Sequence, residues 1–479
     1  MFIFGPCWYG YFKPKIISQL RWWQIPWYPN RGSTVSCSVN LLGYKRDAYT
    51  NCCLHLIDPR AAFAVLKHCI NNRPSFLSRV CSHEDMHEYL SHFDSSIDKV
   101  LAVLVNEPRP SREFAIIRSL PLRVGGIGLR RHAGMYADKS RLASCHLAQE
   151  FIIRHYPKLK SLVLNTWSTH PLCKPLIADS SYAPVLTAAT DETCDFDYST
   201  LITDLKLELQ ANQNDELSRL CHTLCASNRE SSAAWLRSSN FKGSGAWTQC
   251  TGGSFYGHFE IKKEQFVDAL RTRLLLPPCS LKDSFGESFS CSCGKVFNMV
   301  TNPLHFLDCP HGKYHSHARH DKVRDTIGDF IRRSCPSFQT TIEPNLQTVD
   351  GTAMRADIQV CAANRTFHLD VAIVDPSAPS YTQYGSGMEV NVANKKKEKS
   401  KRASYKLRAP ELEESSIIPF VIEATGRFGD AALGFIDLIT NEHCKDNART
   451  LQFQIGALIA NYNALMVSRL RELCRQQTN

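Results

Sequence analysis

Two aspartates in the sequence could together hold a divalent cation. In the stretch RADIQVCAANRTFHLD, Asp357 and Asp370 stand at the two ends of an otherwise apolar run that is typical of two strands. If the strands are adjacent, their carboxylates come together. Each lies where apolar residues cover a sheet, so its charge is costly to bury without a metal or a basic partner. Magnesium suits such a pair, because it takes one or two carboxylates and completes its shell with water and phosphate oxygens.

A basic segment follows the two aspartates in the sequence. The segment NKKKEKSKRASYKL predicts a basic helix, and a lysine on it would stabilise a hydroxide nucleophile or the charge that grows on a reacting phosphate. Other cations of the helix would contact a nucleic-acid backbone, namely Lys395, Lys396, Lys397, Lys399 and Arg402. The alternative is that the helix has no role in catalysis or DNA binding, since lysine-rich helix faces are common as solvated surfaces or nuclear-import signals.

A second set of ligand-type residues precedes the aspartates. The stretch CSCGKVFNMVTNPLHFLDC contains Cys291, Cys293, His305 and Cys309, which are the ligand types of a closed structural zinc site. Gly294 allows the tight turn that two nearly adjacent thiolates need. The alternatives are buried free cysteines with surface histidines, or a site that uses a different histidine: His311, His315 or His317.

The elements that position these residues change in character along the chain. Between about 60 and 240 the pattern is mainly helical, as in YLSHFDSSIDKVLAVL, and residues 165–200 read as a Pro, Ser and Thr-rich insertion. After the cysteines, RHDKVRDTIGDFIRRSC predicts a helix, and SFQTTIEP, RADIQVCA and RTFHLDVAIV predict three strands. The basic helix and a fourth strand, IIPFVIEATG, follow. The sequence therefore predicts a helical half and an α/β half.

Composition limits the class of protein. The 479 residues are enough for several domains, and a net charge of +10 favours a polyanionic partner such as nucleic acid. The 20 cysteines have no regular spacing and no signal peptide precedes them, so we expect a reducing compartment. No apolar run reaches the length of about 18 residues that a bilayer requires, so we expect no membrane partner.

The order of helix, three strands, helix and strand, combined with D-x12-D, resembles the PD-(D/E)XK nuclease core. In particular, it resembles the restriction-like endonuclease of non-LTR retrotransposons. The resemblance implies that Asp357 and Asp370 bind Mg²⁺ or Mn²⁺ and that Lys401, the first lysine of a K-x-x-K-Y signature, neutralises the scissile phosphate. Ala356 replaces the usual proline and Ser404 replaces the second lysine. Glu343 and Glu423 stand where such domains carry further acids.

The resemblance extends to the rest of the chain. A CCHC zinc knuckle precedes these endonucleases, followed by a helix start like Arg319, His320 and Asp321. The segment FAIIRSLPLRVGGIGLRRHAGMYADKSRLAS resembles the thumb after a reverse transcriptase palm, but YADK at 136–139 only imitates a polymerase motif, so we expect no polymerase palm. The implied divisions are 1–40 unassigned, 41–165 thumb-like, 166–278 helical connector, 279–319 zinc knuckle, 320–440 endonuclease and 441–479 C-terminal helix.

The function implied by the resemblance is target nicking, the metal-dependent hydrolysis of a DNA phosphodiester by a retrotransposon remnant. It implies Mg²⁺ or Mn²⁺ and structural Zn²⁺ as cofactors, DNA and element RNA as partners, and the nucleus as location. The first alternative is a catalytically inactive nucleic-acid-binding protein of the same origin. A distant one is a zinc metallopeptidase, because His83, Glu84 and His87 fit H-E-x-x-H, with Glu107 downstream.

Overall fold

The structure is a computed structural model, and it describes a large part of the chain. The described residues are 58–75, 83–108, 110–133, 143–144, 147–148, 151–159, 198–249, 261–278, 288–349, 351, 354–362, 365–441 and 445–478. The unassigned segment 1–40, the YADK segment and residues 165–197 of the insertion lie outside them.

The regular elements described between residues 58 and 278 are helical. Helix α1 begins after Asp58, whose carboxylate accepts a hydrogen bond from the Arg60 N–H at 2.9 Å, and it continues into one π-helical turn. Helix α3 is capped by the Ser111 hydroxyl, which accepts from the Phe114 N–H at 3.2 Å. The helices are α1 (Pro59–Ala64), α2 (His83–Leu104), α3 (Arg112–Ser119), α4 (Tyr198–Ala226), α5 (Glu230–Ser239) and α6 (Lys263–Arg273).

A buried arginine fixes the glycine-rich turn of this half. The GGIGLR segment forms the turn that its glycines predict, with φ of 89° at Gly125 and 77° at Gly128. Arg273 of α6 is 3% exposed and donates to the carbonyls of Gly126 and Leu122 at 3.1 and 2.8 Å. Backbone carbonyls thus satisfy the guanidinium and hold α6 against the turn.

The second half alternates strands and helices. Its elements are β1 (Ser288–Ser290), β2 (Val296–Asn298), α7 (Lys313–Ser334), β3 (Gln339–Ile342), β4 (Asn345–Leu346), β5 (Met354–Arg355), β6 (Ile358–Ala362), β7 (Arg365–Val374), α8 (Pro379–Thr382), α9 (Val392–Arg408), β8 (Ile417–Glu423), α10 (Asp430–Asn441) and α11 (Lys445–Thr478). The predicted helix, three strands, helix and strand correspond to α7, to β3, β6 and β7, to α9 and to β8, while the short elements β4, β5 and α8 are additional.

One four-stranded sheet organises this half, in the order β3, β6, β7, β8. The first three strands are antiparallel, and β8 runs parallel to β7 after the connection that contains α9. Because side chains alternate along a strand, Leu369 and Val371 of β7 pack on one face, in the same core as α7, α10 and α11. Ala372 and Val374 pack on the other face against Ala393 of α9. The protein is therefore mixed α/β, as predicted.

Helix α11 joins the two halves. It contacts α6, α7 and α10 as well as the short turns that follow the β1–β2 hairpin. Its residues Ala457, Met466 and Leu470 belong to the same buried cluster as Phe297 of the hairpin and Phe266 of α6. The segment predicted as a separate C-terminal helix is thus part of the common core. Among the described helices, none combines the length and apolarity needed to cross a bilayer.

Candidate active site and metal centre

The two aspartates lie opposite each other at one end of the β6–β7 pair. The antiparallel register pairs Ile358 with Leu369, and its continuation by one residue sets Asp357 against Asp370. The N–H of Asp357 also donates to the Leu369 carbonyl at 3.0 Å, which carries the pairing past the end of β6. Both side chains are largely buried, at 19% and 12% exposure. The adjacent strands β6 and β7 therefore place these two aspartates side by side.

The Asp357 carboxylate is held from two directions. The main-chain N–H of Val371 donates to its Oδ2 at 2.7 Å. His320 of α7 places Nε2 at 3.6 Å from the same oxygen and at 3.1 Å from the Val371 carbonyl. Burial raises the pKa of Asp357, but His320 and the Val371 N–H outweigh it, so the pKa lies below its usual value. The nearby Asp357 carboxylate in turn raises the pKa of His320 to about 9.

The Asp370 carboxylate has a lysine as its direct partner. Lys401 of α9 donates from Nζ to Asp370 Oδ1 at 2.7 Å. Burial raises the pKa of Asp370, the Lys401 charge lowers it, and the Asp357 charge raises it again, with a net rise. Lys397, one helical turn before Lys401, is partly buried, and desolvation together with the Lys401 charge lowers its pKa while Asp370 opposes this. Two lysines of one helix therefore act on Asp370.

Tyr405 supplies a buried hydroxyl close to the two acids. Its side chain is 1% exposed, and its hydroxyl oxygen has no hydrogen-bond partner among the described residues. Burial raises the pKa of Tyr405, and the charges of Asp370 and Asp357 raise it further; Tyr405 stands one helical turn after Lys401 on the same side of α9. The site thus joins two acids, two lysines, an imidazole and a phenol, a set that suits a divalent cation and an anionic substrate.

The two glutamates predicted as supporting acids have other partners. Glu343, at φ 53°, is ion-paired with Arg324, and its Oε2 lies 3.8 Å from Arg355 Nη1. Only its main chain meets the site, through an N–H bond to the Asp357 carbonyl at 2.9 Å. Glu423 pairs in register with Val374, four residues along β7 from Asp370, or about 13 Å. It is buried beside Arg427, so the structure does not bring it to the aspartates.

The basic residues of α9 point in different directions. Lys395, Lys399 and Arg402 line a shallow groove, together with Lys406, Glu398 and Glu414. Arg402 also donates to the Ile417 carbonyl at 3.3 Å. Lys396 lies on another side of the helix, over the ring of Tyr384. The groove and Lys396 therefore occupy other sides of α9 than Lys401, which contacts Asp370.

The four predicted zinc ligands converge. The side-chain ligand atoms of Cys291, Cys293, His305 and Cys309 all lie within 4.8 Å of one another. Cys291 Sγ and Cys309 Sγ are 3.7 Å apart, and Cys293 Sγ is 3.5 Å from His305 Nε2. Tetrahedral zinc, with bonds of about 2.3 Å to sulfur and 2.0 Å to nitrogen, requires about 3.8 Å between two sulfurs and about 3.5 Å between sulfur and nitrogen. The cluster can therefore hold a metal such as zinc, and it does not include His311, His315 or His317.

The hairpin that carries this cluster is built around it. Gly294 adopts φ 84° in the turn between the first two thiols, as its position in C-x-C-G predicts. The ring of Phe297 stacks on the His305 imidazole at 4.2 Å between centroids. Burial raises the pKa of the Cys309 thiol to about 12 and also raises the pKa of Cys291. Such thiols stay protonated until a cation replaces the proton, so this environment suits a metal ligand.

The H-E-x-x-H segment begins helix α2, but the side chains of His83 and Glu84 lie outside the described residues. His87 is exposed. Glu107, which the sequence places near a possible third ligand, is 3% exposed, and its Oε2 lies 3.6 Å from Arg271 Nη2. An arginine partner of this kind is typical of a structural ion pair, so nothing in the described residues adds to the peptidase alternative.

The sequence alone does not place three residues of the site at the aspartates. In the sequence, His320 belongs to a helix start, Lys397 to the predicted backbone contacts and Tyr405 to the end of the K-x-x-K-Y signature. The one available signal for Lys397 is its i, i+4 spacing from Lys401, which puts both on the same helix face. The contact of His320 depends on how α7 packs against the sheet, which local pattern does not specify.

Comparison with known proteins adds no relative. No protein-family model matches the chain, and no curated protein is significantly similar to it.

Proposed function

We propose that this protein is a Mg²⁺-dependent DNA endonuclease of the restriction-like type, derived from a non-LTR retrotransposon. The observation that carries the proposal is the opposition of Asp357 and Asp370 across two antiparallel strands, with Lys401 at 2.7 Å from Asp370. The sheet that positions them follows the same order of elements as the PD-(D/E)XK core. DNA is the proposed substrate, the element's RNA a further ligand and the nucleus the proposed location.

Each residue of the site would have its own role in phosphodiester hydrolysis. A bound Mg²⁺ would activate water and neutralise phosphate oxygens, and Asp357 and Asp370 would hold it. The Val371 N–H and His320 fix the orientation of the Asp357 carboxylate, so it needs little rearrangement to act as a ligand. Lys401 neutralises charge at the scissile phosphate, and Lys397 adds positive charge one helical turn away.

The exposed cations of α9 would hold the DNA on either side of the cleaved bond. Lys395, Lys399 and Arg402 would contact backbone phosphates, a kind of contact that is independent of sequence and sensitive to salt. We propose zinc as the metal of the Cys291, Cys293, His305 and Cys309 cluster, where its role is to keep the hairpin folded against α7 and α11.

Nicking of supercoiled plasmid by the full chain in Mg²⁺ tests the proposal. We expect nicked circles from the parent and at least about a 100-fold slower reaction from Asp370→Ala. Asp437→Ala is the matched control, because Asp437 is an exposed aspartate of α10, which packs on the other face of the sheet. Equal nicking by the parent and Asp370→Ala would mean that the aspartate pair is not the catalytic centre.

A non-catalytic DNA-binding protein is the second candidate. The Lys401 ammonium already neutralises Asp370, so the pair is stable without a metal, and Ala356 and Ser404 depart from the nuclease pattern. This candidate predicts salt-sensitive binding of plasmid with no nicking by either the parent or the variant.

A further inference from the structure

An exposed aromatic ring lies against the basic helix α9. Tyr384, in the connection between β7 and α9, is 60% exposed. The Nζ of Lys396 lies 3.4 Å from the centre of its ring, and the same ammonium donates to the Ser380 carbonyl at 3.0 Å. One ring face is thus covered by a cation.

The segment that carries this ring is held firmly to the rest of the molecule. The Ser386 hydroxyl donates to the Pro376 carbonyl at 2.8 Å, and the Ser231 hydroxyl of α5 donates to the Ser377 carbonyl at 3.0 Å. A Cβ on Gly387 would come within 3.1 Å of the Cys225 sulfur of α4, so the segment packs closely against that helix. The ring is therefore fixed in place before any ligand arrives, which reduces the entropy cost of binding.

The ring stands against the same basic helix that reaches the aspartates. Lys396, which covers the ring, points to a different side of α9 from Lys401, which contacts Asp370. From Lys396 to Lys401 the helix axis rises about 7.5 Å. Lys395 and Lys399 are exposed on the same helix, so the surroundings of the ring attract a polyanion.

We propose that Tyr384 stacks on an unpaired base of a DNA strand bound along α9. This inference rests on the proposed endonuclease function and specifies its substrate as DNA with a locally unpaired base. An exposed ring on a rigid surface can cover only a base whose own face is free, and in a duplex both faces are covered by neighbouring bases. Stacking on an aromatic side chain does not depend on base identity, so the preference is for unpaired structure rather than for sequence.

Binding measurements separate this inference from cleavage. All variants are made in the full chain carrying Asp370→Ala, and binding is measured by fluorescence anisotropy on a paired duplex and on the same duplex with a central unpaired bubble. We expect the Asp370→Ala protein to prefer the bubble, and addition of Tyr384→Ala to weaken bubble binding on the order of 10-fold while paired duplex is unchanged. Tyr384→Phe should keep the preference, because it keeps the ring. Tyr314→Ala, at an equally accessible tyrosine of α7, is the matched control.

The outcomes distinguish the two proposals. Bubble binding that is insensitive to Tyr384→Ala would overturn the stacking role and leave the endonuclease standing. The same holds if Tyr384→Phe weakens binding as much as Tyr384→Ala, because the hydroxyl rather than the ring would then be the contact. Failure of the parent to bind either DNA would overturn both.

Discussion

Replacement of Lys401 by methionine should destabilise the metal-free site by an amount that the structure allows us to work out. Lys401 and Asp370 form a charge-assisted hydrogen bond of 2.7 Å, and their side chains are 26% and 12% exposed. Such bonds contribute about 1.5–3 kcal/mol, and removal of one partner from a fully buried pair costs about 3–5 kcal/mol. Because Lys401 retains some solvent, we expect a loss of about 2 kcal/mol in the free energy of unfolding.

A double-mutant cycle tests the origin of this loss. Asp370→Asn removes the carboxylate charge that Lys401 compensates, so the double variant should recover most of the stability that Lys401→Met loses. Urea unfolding of zinc-loaded protein without Mg²⁺ gives the four free energies. Lys406→Met, an exposed lysine of the same helix, is the control and should change stability by less than about 0.5 kcal/mol.

Two results would refute the reasoning about Lys401. One is a Lys401→Met variant no less stable than Lys406→Met, and the other is a double variant whose loss equals the sum of the two single losses. A further check follows from the proposed Mg²⁺ site, because a bound cation takes over the neutralising role of the ammonium. Mg²⁺ should then stabilise Lys401→Met more than it stabilises the parent.

Three further predictions concern other parts of the molecule. Burial lowers the pKa of His132 to about 4, so the unfolded chain takes up the proton first as pH falls below about 6.5. This histidine should therefore lower the free energy of unfolding by about 2 kcal/mol between pH 7.5 and pH 5. In urea unfolding, His132→Gln should lack this part of the loss. Cys309→Ser should abolish zinc binding and cost at least about 3 kcal/mol, whereas Cys361→Ser, outside the cluster, should still bind zinc; metal analysis of the purified proteins checks this. Gly126→Ala should cost about 3 kcal/mol or prevent folding, because its Cβ would overlap the Leu120 carbonyl oxygen, while Gly434→Ala in α10, where the Cβ meets nothing, should stabilise the protein by about 0.5 kcal/mol in the same assay.

The alternation of apolar residues predicted most of the sheet. The segment RTFHLDVAIV coincides with β7, Arg365–Val374. Its apolar residues extend over the length of one strand, which is typical of a strand covered on both faces. In α2 the predicted helix YLSHFDSSIDKVLAVL is also observed, and its apolar residues Phe93, Ile97, Val100 and Leu101 are buried. The positions of this strand and this helix could be predicted because the pattern of apolar residues within a short segment indicates both the type of element and its buried side.

Contacts between distant elements were less predictable. The position of Glu423 depends on the register of β8 against β7, which is set across the long connection containing α9 and not by any short turn. The approach of His320 to Asp357 depends on the packing of α7 on the sheet. By contrast, the zinc ligands lie within one short segment, so their spacing identified them without knowledge of the remaining fold.

The packing of α11 has a consequence for how the chain folds during synthesis. The ribosome makes α11 after every element it covers, and about 130 residues separate the start of α7 from the start of α11. At bacterial or eukaryotic elongation rates this interval is on the order of ten seconds. During this interval, the apolar surfaces of α6, of α7 and of the cysteine hairpin that α11 covers remain exposed. Nascent chains should therefore bind chaperones, and they should aggregate when translation stops before α11.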